Sequence, residues 1–175
     1  MFPFFQGVTL GAGMIIPLGA QNSFVINQGI KRNYPLIVAA VCAFCDIALI
    51  SLGVFGGGEF ISRNQLLLTL ITWAGIAFLL SYGVMSFKSA YNGITEEDQK
   101  TNKLFSLSGV IFATFAITLL NPHVFIDTVV VLGSVGAQFD GFNRLAFALG
   151  TMTISIVWFF SIASAAAKFS VWLNQ

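Results

Sequence analysis

The sequence has 175 residues, of which 57% are hydrophobic and 9% are charged, and its formal net charge is +1. Soluble globular domains carry about 25% charged residues, so this composition excludes a water-exposed globular surface. It contains no basic stripe for nucleic acid and no motif for a metal or cofactor. We therefore expect an all-α polytopic membrane protein, a single transmembrane domain spanning 1–175 in the lipid bilayer.

Five apolar segments are long enough to cross a bilayer, which takes about 20 residues per helix. They cover approximately residues 4–26, 36–55, 66–87, 104–135 and 145–167. A polar stretch at 89–103 is typical of a surface loop, and its acidic run indicates a solvated segment rather than a metal site.

The first segment is interrupted near its middle by Pro17 and Gly19, followed by the amides Gln21 and Asn22. Proline and glycine are tolerated in a transmembrane helix where other groups satisfy the freed backbone. The two amides can do this, or they can contact a solute. Both interpretations are open from the sequence.

The second segment carries Asp46 near its centre. An aspartate is too short to reach the interface from there, so it must face the bundle interior, water or a cationic partner. Cys42 and Cys45 lie one turn apart in the same segment, which indicates helix packing rather than redox chemistry.

The fourth segment holds Asn121, Pro122, His123 and Asp127 within seven positions. Proline lacks an N–H and clashes with the carbonyl four residues back, so the helix should break here. A charged side chain in hydrocarbon costs about 2.5–3.5 kcal/mol on insertion scales, so Asp127 is either a functional residue or one that holds the helix break by hydrogen bonds to neighbouring polar groups. His123 is either a gating or proton-linked group or a residue that satisfies the broken backbone.

The two broken segments are three apart, so they should cross the membrane in opposite directions. This pattern indicates an inverted-repeat transporter with its substrate near the midplane. We predict a 3+3 six-helix bundle with a first repeat at 1–88 and a second at 104–175, and expect a sixth helix after Gln175.

The positive-inside rule predicts the orientation. If all five segments span, six of the 8 lysines and arginines fall on one side. The loops at 31–35 and 88–103 are therefore predicted to be cytoplasmic, with the N-terminus outside.

The run from Pro17 to Gly29, then Asp46, then the run from Asn121 to Thr128 strongly resembles the arginine-exporter branch of the lysine exporter superfamily. The resemblance implies ATP-independent export of basic amino acids, mainly arginine but also lysine or canavanine, across the bacterial inner membrane. The residues that match by position are Pro17, Gly19, Gln21, Asn22, Asp46, Asn121, Pro122 and Asp127. Ala20 departs from the pattern, because relatives usually have a second proline there.

Asp46 and Asp127 are the only carboxylates within the segments. A carboxylate can hold a guanidinium by two parallel hydrogen bonds. We expect the two to face one central cavity, where substrate and protons compete, which would give antiport. Free N–H groups at either helix break could bind the substrate's α-carboxylate.

Other readings are open. An exporter of neutral amino acids or other small metabolites is one, and a non-transporting membrane subunit is another. A membrane enzyme would use the two aspartates as a catalytic pair, but the glycine motifs that usually accompany such a pair are absent from this sequence. A channel would favour a continuous polar lining, whereas the sequence shows two localised breaks. A homodimer is also compatible with the sequence.

Overall fold

A computed structural model describes residues 2–57 and 106–173 of the chain. It also describes seven helical, exposed positions in the predicted third segment, namely Leu66, Thr69, Trp73, Ile76, Ala77, Leu80 and Val84. The rest of that segment and the predicted loop at 89–103 lie outside the described residues. The described part is helical, with short turns and no strand.

The first segment forms two helices, α1 (Phe2–Ile15) and α2 (Ala20–Ile30). Their axes are bent by 78° at the intervening residues. The break falls at Pro17 and Gly19, as predicted, because proline cannot continue the hydrogen-bond ladder of α1.

The second segment forms helix α3 (Pro35–Leu52), which begins with proline in its first turn, where no N–H is needed. A π-helical turn at Gly53–Gly57 ends it. Gly56 has a φ of +116°, which an L side chain rarely adopts.

The fourth segment is also broken, with a bend of 62°. Helix α4 (Leu107–Leu119) ends before Asn121, and a short helix α5 (Pro122–Phe125) follows. A π-helical stretch at Ile126–Val131 then leads into α6 (Leu132–Gly136). The predicted breaks in the first and fourth segments are both confirmed.

The fifth segment is one continuous helix, α7 (Gly141–Leu173), of 33 residues. It extends beyond the predicted 145–167 at both ends. In the described part of the chain, two helices are long and apolar enough to span a membrane, or up to four if each bent pair counts once.

Helix α7 packs along α1, α2 and α3 and forms the centre of the described bundle. Glycines bring the backbones of α1 and α7 into direct contact. A Cβ on Gly150 would meet the carbonyl oxygen of Phe4, and one on Gly7 would meet that of Phe147. Small residues of this kind allow the close helix approach typical of membrane bundles.

This contact predicts opposite effects for two glycine substitutions. Gly150→Ala should destabilise the protein by about 1–3 kcal/mol, because the added methyl group collides with backbone that cannot move away. Gly13→Ala in α1 should be neutral or mildly stabilising, since nothing lies within 4 Å of its Cβ position. Thermal unfolding of the purified protein in detergent measures both, and equal midpoints for the two variants would contradict the contact.

Candidate functional site

A cavity of about 270 Å³ lies where the two broken segments face α3. This volume is near the lower end of the range for small-molecule pockets, about 300–1,000 Å³. Its lining consists of Met14, Ile15, Pro17, Leu18, Gly19, Ala20, Gln21, Asn22, Asp46, Asn121, His123, Val124, Asp127 and Thr128. The predicted site residues Pro17, Gly19, Gln21, Asn22, Asp46, Asn121, His123 and Asp127 are all among them, and Pro122 begins α5.

The charge of this lining has one sign. It includes two carboxylates, Asp46 and Asp127, and no lysine or arginine among the described residues. Asp46 comes from α3 and Asp127 from the fourth segment, so the bundle brings together carboxylates that are far apart in sequence. Walls of low polarity concentrate the field of such charges, which favours a cationic ligand.

Asp46 is buried, with 2% of its surface exposed. One of its oxygens, Oδ2, accepts a hydrogen bond of 2.8 Å from the hydroxyl of Ser155 on α7. This bond fixes the orientation of the carboxylate.

Asp127 lies in the π-helical stretch, one turn after His123. The Nδ1 atom of His123 is 2.6 Å from Oδ2 of Asp127. The Asp127 side chain is 15% exposed and that of His123 is 77% exposed. The carboxylate is therefore sheltered, while its partner imidazole is exposed. π-helical turns, whose hydrogen bonds run from residue i to i+5, are frequent at functional sites.

Asn22 holds the first break together. Its Nδ2 donates to the carbonyl oxygens of Ile15 and Pro17, each at 2.8 Å, which α1 leaves without helical partners. Its Oδ1 accepts a bond of 3.2 Å from the indole of Trp158 on α7. These contacts use both ends of the amide, so Asn22 shapes the cavity wall.

Asn121 stabilises the second break in a similar way. Its Oδ1 accepts a 3.1 Å hydrogen bond from the backbone N–H of His123. This satisfies an N–H at the start of α5 that has no partner within the helix.

Gln21 differs from both asparagines. It is 9% exposed, and its Nε2 has no hydrogen-bond partner among the described residues. The side chain lies beside Asp46 and Cys42. The geometry required for a hydrogen bond is nevertheless not met.

Two residues of α7 that support the site were not found from the sequence. Ser155 contacts Asp46, and Trp158, three positions later, contacts Asn22. The sequence indicated them only weakly, through hydroxyl residues at helical spacing in an apolar segment. Thr151 and Ser155 are fully buried hydroxyl groups four residues apart, on one face of an apolar helix.

Ser155 offers a test of how Asp46 is oriented. We expect Ser155→Ala to lower transport about tenfold, since removing a hydrogen bond to a charged group costs about 1.5–3 kcal/mol. Ser155→Thr, which keeps the hydroxyl, should retain more activity. The matched control is Thr153→Ala, because Thr153 bonds only the carbonyl of Leu149 on the exposed face of α7. An equal loss in Ser155→Ala and Thr153→Ala would contradict the orienting role.

Comparison with known proteins places the chain in a family. Residues 12–175 match the family described as LysE type translocator. The chain belongs to the LysE family. Among curated LysE relatives, it is 50% identical over 172 residues to the arginine exporter protein ArgO of Pectobacterium carotovorum subsp. carotovorum (strain PC1). That match covers 98% of this chain and 84% of the relative.

A second LysE relative is the arginine exporter protein ArgO of Serratia proteamaculans (strain 568), 48% identical over 175 residues. This match covers 98% of the chain and 83% of the relative. No solved structure matches the chain. The resemblance inferred from the two motifs is thereby confirmed at the level of the family.

Proposed function

We propose that this protein is a secondary transporter that exports basic amino acids, foremost arginine, and also lysine or canavanine. One observation carries the proposal: Asp46 and Asp127 line the same cavity, with no lysine or arginine beside them among the described residues. The arginine side chain stays cationic at any physiological pH, so a path through the membrane must supply negative charge. The names of the two ArgO relatives support this substrate.

Asp46, Asp127, Gln21, Asn22 and Asn121 are the proposed residues of the substrate site, in which Asn22 and Asn121 shape the cavity at the two helix breaks. The carboxylates bind the cationic groups, and a proton occupies a carboxylate when the substrate has left. His123 is the proton-linked or gating group, since it must release Asp127 before a guanidinium can form a bidentate pair there. Export is then coupled to proton uptake.

The chain is proposed to lie in the bacterial inner membrane. Its loops at 31–35 and 88–103 face the cytoplasm, in accordance with the positive-inside rule. The bends of 78° and 62° in the first and fourth segments support a pair of corresponding broken helices, as an inverted repeat of 1–88 and 104–175 requires. Pro17, Gly19 and Pro122 belong to these breaks.

Counterflow in proteoliposomes tests the proposal. Vesicles loaded with unlabelled arginine should take up labelled arginine, with lysine and canavanine as weaker competitors and leucine without effect. Competition by leucine equal to that by arginine would favour an exporter of neutral amino acids. Absence of any exchange, with the protein correctly inserted, would favour a non-transporting membrane subunit. An imposed proton gradient should accelerate arginine movement if protons are the coupling ion.

A further inference from the structure

We propose that the N-terminus of α2, together with Nε2 of Gln21, is the subsite for the substrate's α-carboxylate. This inference rests on the proposed function and deepens it. It assigns an orientation to the bound molecule and restricts the substrate class to amino acids, excluding amines that lack a carboxylate.

The backbone at the start of α2 has free donors. The helix has 11 residues, and its N-cap is Gly19, which has no side chain to accept a hydrogen bond. The N–H of Ser23 already bonds the carbonyl of Gly19. The preceding N–H groups of α2 have no carbonyl one turn back within the helix. Such a terminus attracts anions through its free donors and its dipole.

A side chain beside these donors also has no partner. Gln21 lines the cavity, is about nine-tenths buried, and leaves Nε2 without an acceptor among the described residues. Burying an amide donor without a partner is costly, so such a group indicates a missing acceptor. A carboxylate bound at the terminus of α2 supplies that acceptor.

The second break does not offer an equivalent subsite. Helix α5 has four residues, and Asn121 already accepts the N–H of His123. At the first break, Asn22 is engaged with backbone carbonyls and with Trp158. Among the three amides at the breaks, Gln21 is the one whose side-chain nitrogen is buried without a partner among the described residues.

The position of Gln21 next to Asp46 sets the orientation of the substrate. The α-ammonium and α-carboxylate groups are attached to one carbon, so their subsites must adjoin. Asp46 lies beside Gln21 and takes the α-ammonium. The cationic side chain then extends towards Asp127 on the fourth segment, where it replaces His123 as the carboxylate's partner.

Agmatine is arginine without its α-carboxylate, so comparing the binding of the two ligands isolates the contribution of this subsite. Purified wild-type protein should bind arginine more tightly than agmatine. Gln21→Met removes the amide at similar volume, and it should weaken arginine binding about tenfold while leaving agmatine binding unchanged. Gln21→Glu places a negative charge there, and it should abolish arginine binding while agmatine binding is kept or strengthened. Because two variants are measured, the test remains valid if one of them does not fold.

The matched control is Gln28→Met, a buried glutamine on the same helix that does not line the cavity. It should leave the ratio of arginine to agmatine affinity unchanged. Equal weakening of both ligands by Gln21→Met would overturn the subsite and show that Gln21 acts on Asp46 instead. Unchanged arginine affinity in both Gln21 variants would also overturn it. If the wild type binds agmatine but not arginine, the proposed function itself fails.

Discussion

Replacing Asp46 with asparagine is expected to reduce arginine transport by about 10- to 100-fold while the protein remains folded in the membrane. Asparagine has the same shape, and its carbonyl oxygen can still accept the hydrogen bond from Ser155. Only the charge is lost. Hydrogen bonds to charged groups contribute about 1.5–3 kcal/mol, and each 1.4 kcal/mol corresponds to a factor of ten in affinity.

Initial rates of labelled arginine efflux, normalised to the amount of protein in the membrane, measure this effect. Asp140→Asn serves as the control, because Asp140 is a fully exposed carboxylate in the turn before α7, 4.0 Å from Arg144. It should leave transport unchanged. Wild-type efflux from Asp46→Asn would show that this carboxylate holds the structure together without binding substrate.

Among the substitutions proposed here, replacing Asn22 with aspartate is expected to lower the stability of the folded protein most. The substitution keeps the size of the side chain and the acceptor for Trp158, but it removes the donor to the carbonyls of Ile15 and Pro17. Each buried group left unpaired costs about 1–3 kcal/mol, and the new negative charge faces two carbonyl oxygens. The first break should therefore loosen, with a large fall in both stability and transport.

Thermal unfolding in detergent, together with the amount of protein in the membrane, measures this loss. The control is Asn27→Asp, the same substitution at an exposed position on the same helix. We expect its unfolding midpoint to match that of the wild type. If Asn22→Asp unfolds at the wild-type temperature and loses transport alone, Asn22 contacts the substrate and does not hold the break.

The helix breaks could be predicted from the sequence because proline determines them locally. Pro17 interrupts the first segment and Pro122 begins the second half of the fourth, where each missing N–H leaves a carbonyl without its partner. The low exposure of Asp46 and Asp127 could be predicted for a related reason, since both lie within long apolar runs. That both carboxylates line one cavity depends on how the helices pack, and no local sequence pattern specifies this packing.

The roles of the three amides could not be separated from the sequence. Gln21 and Asn22 are adjacent, yet one has a free donor and the other is fully engaged. The difference arises because α2 turns by 78° away from α1 and points Asn22 back at the end of α1. Ser155 was missed for a similar reason, because a single serine in an apolar helix is usually only a small packing residue.

The π-helical stretch at Ile126–Val131 also had no signal in the sequence. Its hydrogen bonds run from residue i to i+5 and widen the turn, which changes the direction in which Asp127 points relative to a regular helix. Helix α7 begins at Gly141, before the predicted start at 145, so Phe142, Asn143 and Arg144 belong to it. In the structure they form its first turn, with the guanidinium of Arg144 donating to the carbonyl of Phe139.

Arginine binding to the purified protein tests most directly whether the two carboxylates share one substrate. Calorimetric titration should give weaker binding in Asp46→Asn and in Asp127→Asn. The double variant should lose less than the product of the two single effects, because both groups hold the same molecule. Wild-type affinity in either single variant, or fully independent effects in the double variant, would contradict a shared cavity as the binding site.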